Sequence, residues 1–266
     1  MTLKKPLKKP SKFLTTMNNY HRLYTGTSGL VLPFPKHSFP PEFQDKSRLT
    51  YYASLFNSIE INSSFYKVPM ASTVRKWAEE VPDAFQFTFK LWREITHNKG
   101  LLFREEDISR FMQVISNAGD KKGSLLVQFP PSLTIASIQQ FEKLLLEIQL
   151  SDPMQQWDVA IEFRNRSWYT AEIFDLIDNY KMNIVIQDMP ASITPFRDET
   201  AEFIYLRFHG PSGNYKGSYP DDFLYEYARY IKDWMSEEKK IYVYFNNTMG
   251  EAIKNLETLN KFIAQD

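Results

Sequence analysis

The chain has 266 residues, 32 basic and 32 acidic side chains, and no cysteine. That length can bury one large core, and the charge balance supplies no global field for a polyanion, so nucleic acid would need a local basic patch. The missing cysteines exclude disulfides, thiolate metal sites and thiol nucleophiles, and they fit a reducing compartment. No apolar run approaches the roughly 18 residues of a membrane span, so no membrane partner is expected.

Residues 1–20 carry Lys4, Lys5, Lys8, Lys9 and Lys12 with Pro6 and Pro10 and no apolar signal core, which predicts a flexible basic tail ahead of a single domain over 21–266. Strand-like and helix-like segments then alternate. A strand at 23–27 runs into a proline-punctuated loop at 33–41 and a helix over 47–56. The next strand, 58–61, precedes a helix capped by Ser72 that extends through Trp77 to Glu80. A third strand, 85–90, leads past Thr96 and His97 to a helix over 104–118. The fourth strand, 124–129, is stopped by Pro130 and Pro131, and the helix over 134–149 lines up Ile138, Phe141, Leu144, Leu145 and Ile148 on one face.

The fifth strand, 159–164, precedes a helix carrying Ile173, Phe174 and Ile177, and the sixth, 183–187, ends at Asp188. The seventh and eighth strands, 203–208 and 241–245, are followed by helices over 220–235 and 249–264. Eight such units in about 250 residues predict an α/β fold, a single (β/α)8 TIM-type barrel. The stretch 189–202, with Pro190 and Pro195, predicts an irregular or helix-poor connection between strands six and seven. An open doubly wound sheet is the alternative fold.

Residues two apart share a face of a strand, and in barrels of this type the carboxyl ends of the strands carry the active site. Those ends supply Thr27 and Ser28, Glu60 and Asn62, Lys90, Gln128, Glu162 and Arg164, Asp188, Arg207 and His209, then Asn246 and Asn247. So many charges at one opening must be paired, solvated or bound to a ligand. Glu60, Glu162, Asp188 and His209 are the catalytic candidates, because carboxylates in unlike environments, or an imidazole, can move protons. A plug in which Arg164 and Arg207 neutralise Glu60 and Glu162 is the bland alternative.

Asn62, Lys90, His97, Gln128, Arg164, Arg207, Tyr215, Lys216, Asn246 and Asn247 are the substrate-binding candidates. The loop from His209 to Gly217 holds three glycines beside Lys216; it is either a backbone cradle for phosphate or a plain flexible loop. Phe65, Tyr66, Trp92, Trp168, Tyr215 and Tyr219 follow strand ends, where they could stack on a sugar or base. Hard oxygen donors with imidazole suit a divalent metal, although no close-spaced ligand motif is present. Ser28 between Gly26 and Gly29 lacks the nucleophile-elbow pattern.

The runs Gly26-Thr27-Ser28-Gly29, Glu60-Ile61-Asn62-Ser63-Ser64-Phe65-Tyr66, Thr96-His97, Gln128-Phe129-Pro130-Pro131, Glu162-Phe163-Arg164 with Ser167-Trp168, Arg207-Phe208-His209-Gly210 and Tyr242-Val243-Tyr244-Phe245-Asn246-Asn247, taken in order, closely resemble the YecE-like family, domain of unknown function 72. The resemblance implies a TIM-type barrel and a cytoplasmic, mostly bacterial protein, and it implies no reaction. Leu30 stands where the family usually carries an aromatic, often Trp, and the basic tail lies outside the resemblance. Three functions follow from the residues: an enzyme of hydrolase or isomerase/lyase type acting on a phosphorylated or sugar-like small molecule, a nucleic-acid binder or phosphodiesterase-like barrel, and a non-catalytic metabolite-binding barrel. Oligomeric state is not encoded in any of these features.

Overall fold

Alternation along the strands builds two separate apolar layers. Leu126, Ala160, Val185, Phe203, Tyr205, Tyr242 and Tyr244 form an inner cluster, while their chain neighbours Leu125, Val127, Val159, Ile161, Ile204, Leu206, Ile241 and Val243 join the larger cluster that packs against the helices. A sheet whose two faces both feed apolar cores, one inner and one outer, is what a TIM-type ring requires. The computed structural model describes residues 21–195 and 202–265.

The strands are β1 (Leu23–Thr27), β2 (Ser58–Ile61), β3 (Gln86–Lys90), β4 (Lys122–Gln128), β5 (Asp158–Glu162), β6 (Asn183–Ile184), β7 (Ile186–Gln187), β8 (Phe203–Phe208) and β9 (Lys240–Phe245). They pair in parallel as β2-β3-β4-β5-β6 and as β1-β9-β8-β7. The predicted sixth strand is thus two short pieces hinged at Val185, whose N–H still bonds Ile161 O at 2.9 Å. β6 pairs back to β5 and β7 pairs forward to β8. With the first strand beside the last, the order round the ring follows the sequence, and the fold is TIM-barrel-like.

The seam between β1 and β2 is held differently. Its backbone pairing is a bridge from Ser28 to Glu60, with Gly29 N–H donating to Glu60 O at 2.7 Å. Side chains satisfy the rest: Asn57 bonds Thr25 N and Leu23 O, and the Tyr52 hydroxyl accepts from Thr27 N at 2.7 Å and donates to Ser58 O at 3.1 Å. Gly26 is required there, because a Cβ would lie 2.1 Å from Ser58 O and 2.9 Å from the Tyr52 hydroxyl.

The principal outer helices are α1 (Arg48–Ala53), α2 (Ser63–Tyr66), α3 (Ala71–Glu79), α4 (Arg93–Thr96), α5 (Glu105–Ile115), α6 (Ile138–Ser151), α7 (Ala171–Asn179), α8 (Asp221–Ser236) and α9 (Ala252–Ile263). Ser47 caps α1 and Thr170 caps α7, as their side-chain oxygens can. Ser72 is not a cap, since α3 already begins at Ala71 and places Ser72 in its first turn. α9 starts later than the predicted 249, because Met249 N and Glu251 N donate instead to Tyr215 O and Gly217 O of the loop after β8.

Between β7 and β8, residues 188–195 hold no helix; the remainder of that connection, like the basic tail 1–20, lies outside the described residues. Among the described residues no helix is long and apolar enough to cross a membrane.

Tyr52→Phe removes the hydroxyl that fills the β1–β2 seam and leaves Thr27 N–H and Ser58 O unpaired. A loss of about 1–3 kcal/mol is expected, read as a lower urea midpoint at unchanged slope.

Candidate functional site at the strand ends

The inward-facing series does not stay apolar. One step beyond Tyr205 comes Arg207, beyond Ala160 comes Glu162, beyond Ser58 comes Glu60, beyond Thr88 comes Lys90, beyond Leu126 comes Gln128 and beyond Tyr244 comes Asn246. Below this level, the Tyr244 hydroxyl bonds Ser58 Oγ and Thr88 Oγ1 at 2.5 and 2.7 Å. That gives the charged layer a hydrogen-bonded floor.

Arg207, 1% exposed, joins three strands. Its Nε and Nη2 grip Glu60 of β2 at 3.0 and 2.8 Å, and its Nη1 reaches Glu162 of β5 at 2.9 Å. Tyr205 donates its hydroxyl to Glu60 Oε2 at 2.5 Å, and Arg164, just past the end of β5, pairs with Glu162 from the other side. Burial alone would raise the Glu60 carboxyl, but the charge and hydrogen bonds of Arg207 outweigh it and hold the group below its ordinary range. Glu162 is likewise held down against burial by Arg164 and Arg207. Ser28 Oγ helps keep Glu60 ionised without completing a hydrogen bond of normal geometry.

His209 sits behind this array. Its Nε2 lies 2.8 Å from Arg164 Nη2 and 3.0 Å from Arg207 Nη1. Guanidinium nitrogens only donate, so Nε2 is an acceptor and the proton resides on Nδ1, facing Asp188 Oδ1 at 3.2 Å. The ring is therefore neutral, in keeping with a pKa lowered by burial and by the two arginines against the pull of Glu162 and Asp188. Asp188 also accepts from the His209 backbone N–H at 2.7 Å and from the Tyr219 hydroxyl.

The remaining candidates scatter round this centre. Lys90 Nζ lies 4.1 Å from the centroid of the Phe65 ring, and His97 packs edge-on against the same ring at 4.9 Å, with its Nδ1 on Thr96 Oγ1 at 2.8 Å. Gln128 bonds locally to Phe129 O. Asn247 ties the loop to α9 through Gly217 O and Asn255. Asn246 is nearly buried beside it. Tyr215, at φ +65, sets its ring 5.9 Å from His209. Lys216 is exposed.

The glycine loop spends the N–H groups of Gly210, Gly213, Tyr215 and Lys216 on Tyr219, Gly210, His209 and Asn214. Those four donors are not aimed at an anion. Two aromatic candidates are also unavailable for stacking: Trp168 is fully buried, stacked at 4.8 Å on Phe163 with its Nε1 on Leu133 O, and Tyr219 is committed to Asp188. Trp92 packs partly buried against the core and Phe65 lies under Lys90, leaving Tyr66 and Tyr215 exposed. Among the described residues, no three His, Asp or Glu side chains are grouped to hold a metal; Arg207 stands between the two buried glutamates. Tyr205 is a site residue that the sequence reading missed, although it was readable as the residue two before Arg207 on the same face. Phe65 and Tyr219, expected as stacking faces, instead carry Lys90 and hold Asp188.

Among the described residues, buried polar atoms without a hydrogen-bond partner lie at five strand ends: Ser28 Oγ, Asn62 Oδ1, Arg164 Nε, Gln187 Oε1 and Asn247 Oδ1. Such atoms are uncommon, because each forfeits its hydration.

Comparison with known proteins gives a consistent picture. The sequence model described as "Protein of unknown function DUF72" matches residues 24–266. The chain is 25% identical to UPF0759 protein YunF of Bacillus subtilis (strain 168), over 80% of this chain and 84% of that protein. It is 30% identical to UPF0759 protein YecE of Escherichia coli (strain K12) over 31% of this chain and 30% of that one. Among solved structures, a DUF72 family protein of Thermotoga maritima MSB8 superposes with a TM-score of 0.75 at 26% identity, covering 92% of this chain and 100% of that one. One from Enterococcus faecalis V583 gives 0.74 at 22%, covering 92% and 96%.

Arg207→Met leaves buried Glu60 without a cation and Glu162 with Arg164 alone, and is expected to cost about 3–5 kcal/mol. Glu60→Gln combined with it should recover most of that loss, since Glu162 keeps Arg164; denaturant unfolding of both variants measures the difference. Because both carboxyls titrate lower folded than unfolded, their contribution is complete above the ordinary value of 4.5 and is lost as the pH falls below it.

Proposed function

The chain belongs to the DUF72 family, and from that footing we propose that its ring of strand ends binds an anionic small molecule, phosphorylated or sugar-like, and turns it over by acid/base chemistry. The observation that carries this reading is a set of nitrogen atoms in the ring that its carboxylates leave unbonded. Glu60 and Glu162 are both engaged by Arg207, Arg164 and Tyr205, and among the described residues Lys90 Nζ hydrogen-bonds to neither, resting instead on the Phe65 ring. Arg164, whose side chain is 9% exposed, still has a buried Nε with no acceptor among the described residues. A planar guanidinium with a spare N–H suits an oxyanion, and the unpartnered atoms of Asn62 and Asn247 suit the hydroxyls of a sugar-like body.

In this reading Glu60, Glu162, Asp188 and His209 act as the frame that fixes Arg164 and Arg207. Each already has its proton-accepting atoms engaged, which makes it a poor shuttle in the resting protein. His97 is better placed for proton transfer. Burial, then the charges of Lys90 and Arg93, push it down to about 4, so at neutral pH it is an uncharged acceptor. Exposed Tyr66 and Tyr215 offer stacking faces at the rim.

Isothermal titration of the full chain with ribose 5-phosphate and with ribose tests the reading. The phosphate should bind and ribose should not, and Arg164→Met should weaken the phosphate by about 10- to 100-fold, as expected for a charged hydrogen bond. Arg164→Lys, which retains a cation for Glu162 but lacks the planar fork, should also weaken it. Equal binding of ribose and its phosphate, or an unaltered affinity in both variants, would contradict the proposal.

A further inference from the structure

We propose that Lys90 is an amine nucleophile that captures the carbonyl group of an anionic aldehyde or ketone as an imine. The inference rests on the anion-binding reading above, because the anion held at Arg164 would bring the carbonyl to the lysine. Lys90 closes β3 and faces the ring opening, in the layer of Glu60, Glu162 and Arg207. Its Nζ makes no hydrogen bond and no ion pair with any described residue; its contact is the face of Phe65 at 4.1 Å.

A lysine in a charged ring with two glutamates would ordinarily pair with one of them. Here Arg207 and Arg164 occupy both. The groups acting on Lys90 are Arg207 of β8, Glu162 of β5, Glu60 of β2 and Arg164 beyond β5, and His97 shares Phe65 with it. Burial first, and then the Arg207 charge, bring its pKa down to about 7. A neutral amine is therefore abundant at physiological pH, which is the requirement for imine formation by lysine.

The step balances without an oxidant or reductant. The Nζ lone pair forms a C–N bond to the carbonyl carbon while the C=O π pair moves to oxygen. One nitrogen proton leaves and the oxygen gains one, giving the carbinolamine. Expulsion of that oxygen as water, with loss of the second nitrogen proton, leaves C=N; amine plus carbonyl yields imine plus water. His97, uncharged and packed on the same aromatic ring, is the group placed to receive protons from nitrogen. A purely structural Lys90, an ammonium resting on Phe65, would show none of this reactivity.

Borohydride trapping with pyridoxal 5′-phosphate, uncharged pyridoxal and dihydroxyacetone phosphate, followed by peptide mapping of the full chain, decides the matter. The expected result is one dominant adduct on Lys90, formed on the order of a hundred times faster at neutral pH than on exposed Lys216. Its rate should rise with pH and level off above about 7. Lys90→Arg places a permanent cation over Phe65 and should give no adduct there, and a folded Lys90→Met should behave alike. Adducts spread over surface lysines with Lys90 unlabelled would overturn the proposal. If ribose 5-phosphate binds yet Lys90 is never trapped, the imine fails and the anion site stands. If Lys90 is trapped as fast by pyridoxal as by its phosphate, the imine stands and the anion site fails.

Discussion

One guanidinium holds the upper part of this ring together. Arg207 lies between carboxylates delivered by β2 and β5 while itself standing on β8. Three charges taken from water in this way are tolerated only when geometry and hydrogen bonds are close to complete. The pairing therefore demands that three strands separated in sequence keep their relative positions. A ring that closes in sequence order, with β1 beside β9, supplies that rigidity. The dependence is mutual, since a slip of any one strand by a residue would turn its charge outward into the helical layer.

The layers beneath prepare this arrangement. Tyr205 spans from the inner apolar cluster to Glu60, and Tyr244 holds Ser58 and Thr88. Nearer the amino ends of the strands, Asp158 takes Lys240 and the Tyr242 hydroxyl at 2.7 and 2.8 Å. The interior thus mixes apolar rings with hydroxyls that have partners, which is how aromatic side chains with a polar end are buried cheaply. The charged layer consequently rests on polar atoms that are already satisfied.

Much of this was legible in the sequence, because strand alternation is a local property. Glu60, Glu162 and Arg207 fall on inward positions by counting in twos, and eight strand-like runs at barrel spacing announced the architecture. The family motifs lie at those same strand ends, and the match over residues 24–266 agrees with them. What could not be read is relational. The division of the sixth strand depends on which neighbour each half pairs with. The delayed start of α9 depends on a loop some thirty residues earlier taking its first N–H groups. Trp168 has the same composition cue as a rim aromatic, yet Phe163 and Phe129 bury it. The isolation of Lys90 follows only once both glutamates are seen to belong to arginines.

The proposed function rests on that division of labour. In the function proposed above, the charges most conspicuous in the sequence neutralise one another and serve as a frame, while Lys90, His97 and the spare N–H of Arg164 would meet the ligand. The most direct measurement is a pH titration of the side-chain carboxyl carbons of Glu60 and Glu162 by NMR, with each signal assigned by its Gln variant. The account predicts that both remain ionised through the ordinary glutamate range near 4.5 and show no inflection at neutral pH. An inflection of either carboxyl near neutrality would contradict it, since that glutamate would then be a working acid or base rather than a fixed counter-ion.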